Sequence, residues 1–416
     1  MSLDEETAAR FRETAFILGP FPVLSQTFIY REFEAMADFG LEVNLVSTGS
    51  RRAHDLQLSP ALREMERRAI FLNPDSARVV ASMGAWLRSS QVRQTLRWMM
   101  GLPHRDQAKR ARAAASVLVA AQLAPELRRR GIRYVHAHFA GFQTEIAMSL
   151  SRLLDIPYGC TWHAYGIYKD RNILEDKVRG ARVLLTCTRH NVEHLRALCP
   201  NEADRIHLDY HGLDLSRFPE AAAFEQAARP VILAVGRLIP KKGFSHLLRA
   251  AAILKQSGQA FEVRLIGEGP ERGELEELVR ELGLEDEVRF LGAQPNREVF
   301  RQIAASRLLV VPSVVTADGD MDGIPNVALE AMSLGRPVVG SQISGIPEVL
   351  VPSETGFLTE PGDEAQLARH LGTLLRDAAL AQEIGARART LIFERFDLRA
   401  NVRRVIDHVA AAASEA

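Results

Sequence analysis

The feature that most constrains this chain is an alternation of short apolar runs with stretches of helical spacing. In the first half the runs fall at residues 15–18, 42–47, 134–139, 158–162, 183–188 and 206–211. In the second half they fall at 231–235, 262–266, 288–291, 308–311 and 338–341. Helical patterns such as 271–282 and 297–304 separate most of them. A parallel strand pair needs a long crossover, and a helix supplies it, so this alternation predicts α/β structure with parallel sheets covered on both faces.

The clearest boundary lies near residues 214–229. Residues 213–219 read as a loop, 220–228 as a polar, alanine-rich link, and a new strand follows Pro230. The expectation is a first Rossmann-like, doubly wound domain over 1–215 and a second over 216–385. A terminal helical segment, 386–416, should pack back on the first domain. Open parallel sheets bind ligands at the carboxyl ends of their strands. Two such edges facing each other would form an interdomain cleft.

Lys+Arg and Asp+Glu both number 52 in the 416 residues, which argues against a dedicated nucleic-acid binder. The three cysteines, Cys160, Cys187 and Cys199, form no C-x-x-C pair. Neither a disulfide framework nor a zinc site is expected, and a reducing compartment fits. The acidic start at Asp4, Glu5 and Glu6 does not resemble a secretory signal, and no run is long enough to span a bilayer. The expected location is cytoplasmic. The segment 88–133 carries eleven basic residues against two acids, with Leu96, Trp98, Met99 and Met100 interleaved after Trp86 and Leu87. It suits either a solvated basic face over core contacts or a peripheral contact with an anionic membrane surface.

The strongest chemical signal is the run D-G-D-M-D-G-I-P-N-V-A-L-E-A-M-S-L-G-R-P over 318–337. Pro325 suits the first turn of a helix, and the free N–H groups near Asn326 and Val327 would form an anion site. Asp322 would sit in the loop before that helix and Glu330 along it, so that one acid reaches a sugar and the other a ribose diol. Asp318, Asp320, Asp322 and Gly323 also match the start of a calcium loop, but Leu329 stands where its bidentate glutamate is required. A second signal is Gly236-Arg237-Leu238-Ile239-Pro240-Lys241-Lys242-Gly243, directly after an apolar run. Arg237 offers a planar fork and Lys242 a point charge to phosphate oxygens. A third is Ile266-Gly267-Glu268-Gly269-Pro270, where backbone could approach a nucleotide, although the full dinucleotide fingerprint is not met. His136 and His138 alternate along a strand and read as a polar edge facing the cleft rather than a metal pair.

In combination these motifs resemble the retaining GT-B glycosyltransferases of the large family 4 type, over Pro230 to about Gly362. Phe21-Pro22-Val23-Leu24-Ser25-Gln26-Thr27-Phe28, Trp162-His163-Ala164-Tyr165 and Tyr210-His211-Gly212-Leu213-Asp214 are similar to the branch that builds bacterial exopolysaccharides of the colanic acid and amylovoran type. The resemblance implies two doubly wound domains facing a cleft. It also implies a metal-independent hexosyltransferase that moves a sugar, with retention, from a UDP-sugar or GDP-sugar to a glycan or lipid-linked glycan, with no cofactor. Carried over by position, Arg237 and Lys242 would hold the donor diphosphate and Glu330 the ribose. Asp322 would grip the transferred sugar, together with the backbone of Gly323, Ile324, Pro325, Asn326 and Val327. Gly267 would lie against the nucleotide, His163 at the sugar, and Ser25 and Thr27 near the phosphates or acceptor. The enzyme would work in the cytoplasm or on the inner face of the plasma membrane.

The chain departs from the family pattern at Asp322, where glutamate is usual, and at Gly166, where the branch often has an acid. Rival readings are a sugar-nucleotide epimerase or another enzyme of this fold, and a non-catalytic nucleotide-sugar-binding scaffold.

Overall fold

The computed structural model describes residues 3–22, 27–49, 58–72, 88–219 and 228–414. These residues form two compact units. The first comprises Met1–Cys187, Asn191–Gly212 and Leu398–Ala416; the second comprises Thr188–His190 and Leu213–Asp397.

The first unit holds a parallel sheet of seven described strands. They are β1 (Thr14–Leu18), β2 (Asn44–Ser47), β3 (Ile70–Phe71), β4 (Tyr134–His138), β5 (Tyr158–Trp162), β6 (Leu184–Thr186) and β7 (Ile206–Leu208), in the order β3-β2-β1-β4-β5-β6-β7. Every residue of β1, β4 and β5 is buried. This is why β1 reads as a nearly continuous apolar run and not as an alternating one: both faces are covered. One face packs against the helices Gln107–Arg129 and Phe142–Leu154, which are in close contact with each other. The other packs against Thr27–Asp38 and the last helix, Leu398–Ser414.

The second unit holds β8 (Val231–Val235), β9 (Glu262–Ile266), β10 (Val288–Gly292), β11 (Leu308–Val311), β12 (Val338–Ser341) and β13 (Gly356–Thr359), parallel throughout, in the order β10-β9-β8-β11-β12-β13. The order reverses between β8 and β11, so the crevice at their carboxyl ends is the place where a doubly wound sheet receives a ligand. Helix Ala378–Arg395 packs on Asn326–Ser333 and Glu364–Arg376 of this unit. Only the final helix, Leu398–Ser414, joins the first unit, through Glu5–Arg12 and Thr27–Asp38.

Strands β5, β8, β9, β11 and β12 coincide with the expected apolar runs. Strands β3 and β13 were not expected: β3 is only two residues long, and β13 is short and only partly apolar. His136 and His138 correct the sequence reading. Both are fully buried, and His136 Nε2 lies 2.8 Å from Thr161 Oγ1. Phe16 and Phe33 pack against His138, so the pair belongs to the core.

Candidate active site

The site in the second unit is built from the loops that leave the two central strands. After β8 the chain must turn at once. Gly236 N–H donates to Ile266 O at 2.9 Å and Leu238 N–H to Glu268 O at 3.0 Å, while the fully buried Leu238 pins the loop. Gly243 closes the short turn Pro240–Lys242 at φ +65°, where a Cβ would meet Pro312 O at 1.9 Å. Gly267, after β9, has φ +141°, and a Cβ there would lie 1.8 Å from Gly236 O. Only glycine lets the two strand ends come this close.

After β11 the chain reaches Pro325, which precedes the helix Asn326–Ser333. Pro325 stands at the cap position and not inside the first turn as expected. No side chain caps this end. The helix N-terminus is thus left with backbone N–H groups and the positive end of the helix dipole turned outward. Gly335, at φ +67°, follows the end of the helix.

These loops enclose a cavity of about 500 Å³ lined by Val235, Gly236, Arg237, Lys242, Ile266, Gly267, Glu268, Ala293, Gln294, Asn296, Val299, Pro325, Asn326, Val327 and Glu330. That volume lies within the range of small-molecule sites. Seven residues singled out from the sequence line it: Arg237, Lys242, Gly267, Pro325, Asn326, Val327 and Glu330. Arg237 is exposed and makes no ion pair among the described residues.

Asp322 does not line this cavity, and neither do Gly323 and Ile324. Its Oδ2 accepts from Lys242 Nζ at 2.8 Å and from Ser313 Oγ at 2.9 Å, and its Oδ1 is 3.6 Å from Lys241 Nζ. Burial pushes this carboxyl up, but the two ammonium groups and the Ser313 hydroxyl outweigh it and hold it below the usual carboxylate range. Asp320, one of the suspected calcium-loop acids, pairs with Lys241 at 3.0 Å. Lys241 and Ser313 were missed from the sequence. Lys241 adjoins the expected lysine, but nothing local indicates that it turns toward Asp320.

The remaining candidates belong to the first unit. Ser25 falls outside the described residues, and Thr27 opens the helix Thr27–Asp38. His163, just past β5, directs Nδ1 toward His211 Nε2 at 3.2 Å and Cys187 Sγ at 3.9 Å, and its Nε2 is buried. Phe28 and Phe139 pack against its ring at 5.0 and 4.8 Å. Burial holds His163 well below the usual histidine range and His211 at about 4, so both imidazoles are neutral near pH 7.

In the basic segment most of the described apolar residues face inward, while Met100 is exposed. Val92 and Met99 are buried, and Leu96 and Trp98 pack on the core. Two of its cations serve the interior. Lys109 reaches Asp170 at 2.6 Å, and Arg112 reaches Asp170 at 2.7 Å and Glu145 at 3.0 Å. Among the described residues, no helix is long and apolar enough to cross a membrane.

Residues 220–391 match the family model described as glycosyl transferases group 1. The amylovoran biosynthesis glycosyltransferase AmsK of Erwinia amylovora is 28% identical over 408 residues, which cover 94% of this chain and 98% of that protein. The putative colanic acid biosynthesis glycosyltransferase WcaL of Escherichia coli (strain K12) is 27% identical over 380 residues, 86% of this chain and 89% of that one. Among solved structures, sucrose-phosphate synthase from Thermosynechococcus elongatus aligns with a TM-score of 0.73 at 20% identity, covering 97% of this chain and 100% of that one. Anabaena Alr3699/HepE in complex with UDP and glucose aligns at 0.68 and 17% identity, covering 96% and 100%. At these identities the structures speak to fold alone: two parallel-sheet α/β units of the GT-B type.

Proposed function

We propose that this chain, whose residues 220–391 match the glycosyl transferases group 1 model, is a retaining, metal-independent hexosyltransferase of exopolysaccharide biosynthesis. Its donor is a nucleoside-diphosphate sugar, and its acceptor a glycan or lipid-linked glycan. The single observation that carries the donor reading is the cavity that unites Arg237, Lys242, the N-terminus of Asn326–Ser333 and Glu330. Two cations and an uncapped helix end suit a diphosphate, and a carboxylate on the same wall suits the vicinal hydroxyls of a ribose.

In the proposed reaction the bond between the anomeric carbon and the diphosphate oxygen breaks, and its electron pair stays with the phosphate. The acceptor hydroxyl oxygen bonds to the anomeric carbon on the same face, and its proton passes to the departing phosphate oxygen. Arg237, Lys242 and the N–H groups of Asn326 and Val327 stabilise the growing negative charge, the part a divalent cation would otherwise play. Lys242 need not release Asp322 to do so, since an ammonium carries three donors and Asp322 occupies one.

Calorimetry against UDP, GDP, ADP and their glucose, galactose and mannose conjugates, with and without EDTA, tests this reading. Saturable binding of one nucleotide family, unchanged by EDTA and lost in Arg237→Ala, is the expected result. Absence of binding across the panel, or binding only with added metal, would overturn it.

A further inference from the structure

Two lysines stand side by side on the turn after β8, in different surroundings. Lys242 lines the donor cavity and Lys241 does not. Both reach the same acid on the loop after β11. Lys242 Nζ is 2.8 Å from Asp322 Oδ2, and Lys241 Nζ is 3.6 Å from Asp322 Oδ1. A second acid, Asp320, accepts from Lys241 at 3.0 Å. The four side chains expose only between 11% and 19% of their surface, so salt and water screen them little.

We propose that Lys241 is a positioning residue, the counter-ion reserved for Asp322, which keeps that carboxyl ionised while a bound diphosphate draws on Lys242. The inference rests on the donor reading above and divides its two neighbouring lysines between two tasks.

Without a donor, Asp322 has two ammonium groups beside it. A diphosphate in the cavity places negative oxygens within reach of Lys242 and takes a share of its charge. It also brings its own negative charge close to a largely buried carboxyl. Both changes push Asp322 toward protonation, and a protonated Asp322 loses part of its capacity to accept from sugar hydroxyls. Lys241 opposes this from outside the cavity, where the donor does not compete for it.

The fold keeps Lys241 in that place from two directions. Its carbonyl accepts from Val314 N–H at 2.9 Å, which ties the turn after β8 to the loop after β11. Its ammonium is anchored by Asp320, and Asp320 is set by its own turn. Thr316 N–H donates to Asp320 O at 3.0 Å, and Asp320 N–H donates to Asp318 Oδ1 at 3.3 Å. The groups acting on Asp322 are therefore Lys242, Lys241 and the Ser313 hydroxyl, with Asp320 behind Lys241. A plain cluster of ion pairs would account for the contacts, but it predicts no link between donor binding and protons.

The test is calorimetry of the full chain with UDP-glucose, UDP-galactose and GDP-mannose, in PIPES and in Tris at matched pH. The two buffers differ in ionisation heat, so the difference between them counts protons taken up on binding. The diphosphate of a nucleotide sugar is a diester that does not titrate near neutral pH, so those protons belong to the protein. For the ligand that the wild type binds, uptake near pH 7 should be close to none. Lys241→Met should take up a sizeable fraction of a proton. Its bound state then holds more protons than its free state, so affinity should fall as pH rises, by up to about tenfold per unit. Lys241→Arg should behave as the wild type, and adding Asp322→Asn to Lys241→Met should abolish the uptake. If Lys241→Met fails to fold, Lys241→Gln removes the charge, keeps a polar head and carries the same expectation. A wild type that binds, beside a charge-removing variant that takes up no extra proton, would overturn the role of Lys241 and leave the donor reading standing. Uptake that survives Asp322→Asn would overturn it too. A wild type that binds none of the three ligands would overturn the donor reading and this inference together.

Discussion

The Lys242 ammonium lies 2.8 Å from Asp322 Oδ2, so the cation of one sequence motif and the acid of another, eighty positions apart, form one ion pair at the edge of the donor cavity. The pair gives its two members opposite signs toward a diphosphate. Lys242→Ala removes a cation and should weaken nucleoside-diphosphate binding by about 1–3 kcal/mol. Asp322→Asn removes the negative charge that competes for Lys241 and Lys242, so affinity for the diphosphate alone should hold or rise while sugar transfer falls. Calorimetry with UDP and GDP, paired with turnover, checks both. Equal losses of affinity in the two variants would mean that Asp322 only positions Lys242.

Arg237 and Glu330 line the same cavity but should answer to different parts of the donor. Arg237→Ala is expected to cost about 1–3 kcal/mol with the nucleotide and with inorganic pyrophosphate alike, because the guanidinium addresses phosphate oxygens. Glu330→Ala is expected to cost a similar amount with the nucleotide and nothing with pyrophosphate, which has no ribose. Competition binding with the two ligands separates the roles. A pyrophosphate loss in Glu330→Ala would remove the ribose assignment.

How much of this was legible in the sequence depended on how local the cause was. The strands Tyr158–Trp162, Val231–Val235, Glu262–Ile266, Leu308–Val311 and Val338–Ser341 matched their apolar runs to the residue; for Val231–Val235 and Leu308–Val311 the reason is that a strand covered on both faces carries apolar side chains throughout, whereas Glu262–Ile266 keeps Glu262 and Arg264 half-buried. Gly267 and the Asn326–Ser333 helix were legible because each answers to local backbone geometry. The grip of Lys241 and Ser313 on Asp322 was not, since it arises only when the loops after β8 and β11 meet. His136 and His138 were misread for the same reason. Alternation placed them on one face, but only the position of Phe16 and Phe33 shows that the face is buried.

The buried charges of the first unit make a stability prediction. Lys177 is fully buried, with Nζ 3.0 Å from Glu145 Oε1 and 2.7 Å from Ala140 O. Glu145 also accepts from Arg112 at 3.0 Å and Asn172 at 3.1 Å. Burial alone would raise the Glu145 carboxyl, but Lys177 and Arg112 hold it below the usual range. Lys177→Met strands part of that charge in the interior and should cost about 3–5 kcal/mol. Adding Glu145→Gln should restore part of the loss, because the uncompensated charge goes with it. Urea denaturation of the wild type, both single variants and the double variant measures this. A double variant as unstable as the sum of both singles would show that packing, not charge, sets the cost.

Glu32 should make stability fall with rising pH. Its Oε1 is buried without a hydrogen-bond partner among the described residues, and His138 Nε2 lies 3.9 Å away. Burial, with a further push from Asp209, raises this carboxyl from 4.5 to about 8. Burial likewise lifts Asp209 to about 7 against the pull of Arg404. Between the unfolded and folded values of Glu32, the native state keeps a proton that the unfolded chain has released. Stability is therefore greatest below the unfolded value and declines as pH rises toward the folded one, by about 1.4 kcal/mol per pH unit for a single such group. Glu32→Gln removes the titration and keeps the shape. It should match the wild type near pH 4, flatten the decline above it, and exceed the wild type at pH 8. Denaturation midpoints across that range read the difference. A Glu32→Gln variant less stable than the wild type at pH 8 would mean that the carboxylate is ionised and paired in the native protein.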